Sequence, residues 1–539
     1  MRALMQDRPL DISSLSRRVE QLFAHKRVVT GTVDGEVTAT WRDVVDRSRR
    51  LAAALDEIQV PRHARVGTFG WNSQRHVELY LAVPGSGRVL HTLNHRLFAD
   101  ELAYIVTDAA DDVLFVDRSL IPVVWPLMDR LRTVRHVVVM DDGGPAPLPD
   151  DPRILDYETL IDRRVDGVPT AAVDESDAAS LCYTSGTTGR PKGVLYSHRS
   201  IVLHALLLLG VDNFAISERD VVLPIVPMFH VNAWGLPYAA MLAGSDLVLP
   251  GPAMSPQALA GQLARHRVTF AAGVPAIWRA LLPLVDRAEL AALRMVVSGG
   301  SPVPDTLARS WYERTGVPIT SSWGMTETSP LVACSRIATV HDGLDPDAEV
   351  ALLGTPGPPV PLTELRLVDE AGERVGHDAT TPGELQVAGP TVASGYFGAG
   401  AGTDAFTDDG WLRTGDVATI DRYGYVRIVD RTKDLVKSGG EWISSVLLEN
   451  EIMAYPGVVE AAVIGVPDDR WGERPLACVV TTGGARVDVA DLRSHLAGRV
   501  ASWWIPDQVW QLPAIPKTAT GKFAKSVLRD QFARRGQSD

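Results

Sequence analysis

The 539-residue chain carries 53 Lys and Arg against 66 Asp and Glu, a formal charge of −13, and 45% of its residues are hydrophobic. This length predicts two to four domains around a large buried core, and the acidity excludes a general nucleic-acid binder, which needs a basic footprint. Three widely spaced cysteines, Cys182, Cys334 and Cys478, fit no metal-ligand spacing, and an odd count suits no disulfide framework, so a reducing compartment is expected.

The first residues lack the apolar core of a signal peptide. The most apolar stretch, Ile201 to Val211, contains His204 and is too short for a transmembrane segment; a cytoplasmic protein is expected. Helical spacing from Trp41 to Ile58 puts Val44, Val45, Leu51, Ala52 and Leu55 on one face. Strands are predicted at Ala64–Phe69 and Asp112–Asp117, and again at Val221–Val226, Asp246–Leu249, Val268–Phe270 and Arg294–Val297, with a helix over Pro256–Arg267. Such alternation predicts an α/β fold with substantially parallel sheets. After about residue 350 the texture changes. Glu364–Val368, Gly383–Val387 and Tyr425–Val429 alternate with period two between Gly and Pro, as in a more antiparallel β-rich subdomain. The last unit carries helices at Ser445–Ala454 and Val489–Val500 and strands at Glu460–Val466 and Leu476–Val480, enough for a small α+β domain. The expected division is a large N-terminal domain over 1–431 and a small C-terminal domain over 432–539.

Thr184–Gly193 follows an apolar strand and holds the hydroxyls of Thr184, Ser185, Thr187 and Thr188, the glycines Gly186, Gly189 and Gly193, and Lys192. Glycines let backbone N–H groups turn toward an anion, hydroxyls add donors and lysine adds charge, so the segment can wrap a polyphosphate. It is not a Walker A loop, because Lys192 follows Gly189 by three residues and precedes Gly193. The other reading is a flexible surface loop, but even taken alone the segment's length and its Pro191 and Lys192 favour the anion-binding one.

This segment resembles the signature loop of the adenylate-forming superfamily of acyl-CoA synthetases, adenylation domains and luciferase, and the likeness extends over nearly the whole chain, nearest to medium- and long-chain fatty acyl-CoA synthetases. The resemblance implies an ATP-dependent acid:CoA ligase using Mg²⁺ and taking coenzyme A as co-substrate. It implies that Ser322, Trp323, Gly324, Met325 and Thr326 hold the nucleotide, with Trp323 where tyrosine is common. Glu327 and Thr184 would hold Mg²⁺; a carboxylate is a natural oxygen ligand for that ion. Gly299, Gly300 and Ser301 resemble the adenine-side loop, Asp416 the ribose acceptor, and Ile428 and Arg431 further nucleotide contacts. Lys433 occupies the hinge position, and Lys437, Ser438, Gly439, Gly440, Glu441 and Trp442 resemble the wall of the thiol-transfer site. Lys522 resembles the catalytic lysine that neutralises charge between two reacting anions. In the family the small domain turns between two half-reactions.

Val226–Pro237 lines the acyl site in relatives, which implies roles there for His230 and for Trp234, an aromatic closing the tunnel mouth. An amino-acid adenylation domain would place an acid here; this stretch has none, and the chain ends shortly after Lys522 with no carrier domain expected. The remaining alternatives are a same-fold enzyme for an aryl acid or an inorganic oxyacid such as nitrite, and a non-catalytic nucleotide-binding homologue. Intact Lys192, Glu327, Asp416 and Lys522 argue against the last. A homodimer is expected from fatty acyl relatives.

Overall fold

The computed structural model describes residues 4–162, 172–184, 190–398, 403–439, 441–517 and 523–535. The apolar strands form two large, mainly parallel sheets. The first has seven strands, in spatial order Ile154–Asp156, His136–Met140, Asp111–Asp117, Arg65–Phe69, Val89–Thr92, Ala178–Tyr183 and Gly193–Ser197. Every pair is parallel except the last, an antiparallel hairpin that carries the Thr184–Lys192 segment. The second has eight strands, and its order ends with Phe270–Gly273, Met295–Ser298, Ile319–Gly324 and the antiparallel Leu331–Cys334 at one edge. A third sheet of five antiparallel strands runs from Glu364 to Arg431. The small C-terminal domain has its own five-stranded sheet and core.

The helix predicted from Trp41 forms over Trp41–Glu57 and opens on a capping box, with Thr40 Oγ1 accepting from Asp43 N and the Asp43 carboxylate accepting from Thr40 N at 2.8 Å. Its stripe is buried at Val44, Val45, Leu51 and Leu55; Ala52 is only half-buried, and Ala53 and Ala54 take the core side instead. The strand expected at Val268–Phe270 starts at Phe270 and runs to Gly273. Thr269, just before it, still bonds through its backbone, its N–H donating to Val221 O at 3.0 Å and its carbonyl accepting from Arg294 N at 2.8 Å, while its hydroxyl donates to Asp220 at 2.6 Å. The hairpin Arg27–Thr32 with Gly35–Thr40 was not legible, since its place depends on parallel pairing with Asp246–Leu249 far along the chain.

Buried polar side chains of the first sheet region hold the segment leaving the second. Asn72 donates to the carbonyls of Pro224 and Val226, both at 2.9 Å, and accepts from Met228 N at 2.7 Å. Tyr80 donates to Met228 O at 2.5 Å and Thr92 to Phe229 O at 3.0 Å. The segment that leads to His230 is therefore fixed between the two sheets by satisfied hydrogen bonds. All three cysteines are buried and unpaired. Among the described residues, no helix is long and apolar enough to cross a membrane.

Candidate active site

A cavity of about 560 Å³ lies where the signature hairpin, the second sheet's edge and the antiparallel sheet meet. Thr184 and Lys192 close the hairpin's neck: Thr184 N donates to Lys192 O at 2.9 Å, and Lys192 N donates to Thr184 Oγ1 at 3.1 Å. Both line the cavity, and the Lys192 ammonium sits 4.8 Å from the centroid of the Tyr396 ring. Ser185, Gly186, Thr187, Thr188 and Gly189 lie outside the described residues.

Ser322, Trp323, Gly324, Met325, Thr326 and Glu327 line it as well. The strand register shifts between Trp323 and Gly324, and a side chain on Gly324 would put its Cβ 1.8 Å from Pro330 O, so only glycine fits this approach. The turn that follows buries Glu327. Tyr396 donates to Glu327 Oε1 at 2.6 Å, and Tyr196 donates to Thr326 O at 2.6 Å. Burial, then the neighbouring Glu327 carboxylate, raise the Tyr396 hydroxyl's pKa far above the phenol range, so it stays a donor. Glu327 keeps a second oxygen, and Thr184 lines the same space; the pair fits Mg²⁺ held by one carboxylate together with ligand oxygens. Among the described residues, no group of three or more His, Cys, Asp or Glu forms an all-protein metal cage.

Asp416 stands opposite Arg431 in the antiparallel sheet. Its Oδ1 pairs with Arg431 Nε at 3.1 Å and its Oδ2 accepts from Trp323 Nε1 at 3.0 Å. The buried carboxylate thus sits behind the wall formed by Thr414, Gly415, Trp323 and Arg431, with lone pairs left on both oxygens. Gly299 and Gly300 reach the cavity, whereas Ser301 does not line it. Ile428 also falls outside the lining; it packs with Trp323 on the apolar cluster of Leu367, Leu385 and Val426. Asp416, Ser301 and Ile428 thus do not line the cavity in this arrangement.

His230, Val231, Trp234, Phe214, Pro330 and Leu331 form a largely apolar end. Residues Val231 to Gly235 all have positive φ, between 48° and 71°. Such a left-handed turn costs about 1–2 kcal/mol per non-glycine residue, so the surrounding structure must impose it. Trp234 lies against Gly299, where an added Cβ would come within 3.0 Å of its ring.

Thr432 and Lys433 also line the cavity. Arg529 donates to Lys433 O at 3.2 Å and pairs with Asp434 at 2.8 Å. Beside it, Ser445 N donates to Asp430 Oδ2 at 2.6 Å and buried Lys525 pairs with Glu449 at 2.6 Å. The hairpin of Lys437, Ser438, Gly439 and Trp442 does not line the cavity: Lys437 lies 4.0 Å from the Trp442 ring centroid and 3.9 Å from Glu370, while Ser438 accepts from Arg474 at 3.2 Å. Glu441 is placed in the second strand of that hairpin. Gly440 and Lys522 lie outside the described residues.

Residues 16–397 match the AMP-binding enzyme family, and residues 447–522 match the AMP-binding enzyme C-terminal domain. The chain belongs to the AMP-binding enzyme family. It is 45% identical to a long-chain-fatty-acid–CoA ligase of Thermus thermophilus, over 98% of this chain and 96% of the relative. It is 42% identical to a 3-methylmercaptopropionyl-CoA ligase of Ruegeria pomeroyi, over 98% of both chains. The anthranilate CoA ligase AuaEII, solved with anthranoyl-AMP, superposes with a TM-score of 0.87 at 27% identity, covering 99% of this chain and 100% of that one. The family expected from the motifs holds, as does the fold of a large N-terminal and a smaller C-terminal domain.

Sequence reasoning missed Tyr396, Arg190, Arg413 and Glu384. Tyr396 lies in a loop with no motif of its own, and only the fold brings it to Glu327. Arg190 was passed over inside the signature segment. Arg413 lines the cavity while paired to Glu384 at 3.0 Å.

Proposed function

We propose that this protein is an ATP-dependent, AMP-forming acid:CoA ligase acting on a medium- or long-chain fatty acid. One observation carries the reading: a single cavity joins a polar, charged wall to an apolar wall, with Glu327 and Thr326 on the first and Trp234 and Leu331 on the second. Arg190, Lys192, Arg431 and Lys433 bring positive charge to the first wall, suited to a triphosphate. A free carboxylate does not acylate a thiol because oxide is its leaving group. Attack of one carboxylate oxygen on the α-phosphorus of ATP expels pyrophosphate and yields acyl-AMP. The thiol of coenzyme A then attacks the acyl carbon, AMP departs and the thiol proton is lost. The protein's part is to position these groups and stabilise charge. Glu327 and Thr184 would hold Mg²⁺, which would supply charge neutralisation on the phosphates. Lys522 is assigned to the first half-reaction and the Lys437–Trp442 hairpin to the second, with the small domain turning at Lys433. That the hairpin lies off the cavity wall supports reading the present arrangement as other than the thioester-forming one. We place the domain boundary between residues 431 and 432, the protein in the cytoplasm, and its working form as a homodimer.

The apolar wall cannot pair a second ionic group on the acid, whose burial would be costly. It binds methylenes, each worth about 0.8 kcal/mol when buried, or about fourfold in specificity. Saturated acids of increasing length should give a rising kcat/KM until the site is full. A flat series beside rapid turnover of an aryl acid would overturn the fatty-acid assignment and leave the adenylation chemistry standing.

A further inference from the structure

The left-handed turn from Val231 to Gly235 stands out from its surroundings, and its residues divide by direction. Val231 and Trp234, three apart, both line the cavity. Asn232 is buried and turned the other way: its Oδ1 accepts from Ser180 Oγ at 3.2 Å and from Cys182 Sγ at 3.6 Å. Ser180 and Cys182 share one face of the strand Ala178–Tyr183, which runs directly into Thr184. Burial raises the Cys182 thiol's pKa, so it remains an S–H donor. At the turn's other end Gly235 packs on buried His204; a Cβ there would stand 2.5 Å from His204 Nδ1. His204 Nε2 accepts from the backbone N–H of Leu331 at 3.4 Å, and burial pulls the imidazole's pKa down to about 3, leaving it neutral.

Of the five residues, asparagine and glycine are the types that accept positive φ most readily, while a β-branched residue such as Val231 resists it. The two permissive residues are also the two clamped to neighbouring elements. We propose that Asn232 is a specificity-determining positioning residue: by tying the left-handed turn to the strand of the signature hairpin, it fixes how far Val231 and Trp234 intrude on the acyl end of the cavity. Asn232 touches no substrate; it acts through the two side chains it orients. The proposal rests on reading that end as the acyl site.

Asn232→Gly separates the clamp from the backbone preference, because glycine keeps the positive φ and loses both side-chain bonds. The double replacement Ser180→Ala with Cys182→Ala removes the same bonds from the other side. Hexanoate, decanoate and palmitate should be compared by kcat/KM in each protein. The ratio between the acids should change about fourfold or more, the scale of one methylene's burial, with KM for ATP unchanged. The triple replacement should do no more than either alone. A folded Asn232→Gly protein with the wild-type acid ratio would overturn the inference, even if its melting temperature had fallen. If the wild type itself is flat toward these acids, the acyl reading fails separately. A crystal structure of Asn232→Gly then decides the clamp: Trp234 displaced from Gly299 upholds it, and Trp234 unmoved overturns it.

Discussion

Replacing Tyr396 by Phe deletes one oxygen and tests how the candidate Mg²⁺ carboxylate is held. The hydroxyl donates to Glu327 Oε1 at 2.6 Å, a short bond to a buried acid. A hydrogen bond to a charged group contributes about 1.5–3 kcal/mol, and loss of a group that orients a metal ligand lowers metal affinity about 10- to 100-fold. Tyr396 is only half-buried, so water can replace part of the bond and the lower end applies, about tenfold. Because the Tyr396 hydroxyl stays protonated beside Glu327, the effect should hold across neutral pH. The assay is pyrophosphate release against Mg²⁺ concentration at saturating ATP and acid. The half-saturating Mg²⁺ concentration should rise about tenfold, and KM for the acid should not move. An unchanged Mg²⁺ titration would refute the placement of the ion at Glu327.

Lys522→Ala should nearly abolish acyl-AMP formation while sparing thioester formation from supplied acyl-AMP; equal loss of both half-reactions would contradict its assignment. Lys525→Met should destabilise the small domain by about 3–5 kcal/mol in urea titrations, because it leaves Glu449 buried without its cation beside Asp430. Restoring most of that loss by adding Glu449→Leu would identify the unpaired charge as the cause.

The motifs were legible because each joins unusual residue types at short range. Glycines, hydroxyls and Lys192 within one loop suggest an anion-binding segment without any knowledge of the fold. The parallel sheets were likewise visible in apolar runs such as Val113–Val116. What could not be read depends on distance along the chain. Tyr396 meets Glu327 across 69 residues, and Asn232 meets Ser180 across 52. Asp416 illustrates a subtler limit: its role was read from a motif, yet the carboxylate is engaged by Trp323 and Arg431, a detail set by cross-strand register. The left-handed turn was invisible because Val, Ala and Trp carry no local preference for it.

In the proposed function this cavity activates a carboxylate by adenylation and hands the acyl group to coenzyme A. Incubating the purified protein with ATP, Mg²⁺ and decanoate, with and without coenzyme A, tests it most directly. Acid-dependent exchange of labelled pyrophosphate into ATP should occur without coenzyme A, and adding coenzyme A should release AMP and form decanoyl-CoA in equal amounts. ATP turnover that ignores the acid, or that yields ADP and phosphate, would contradict the account.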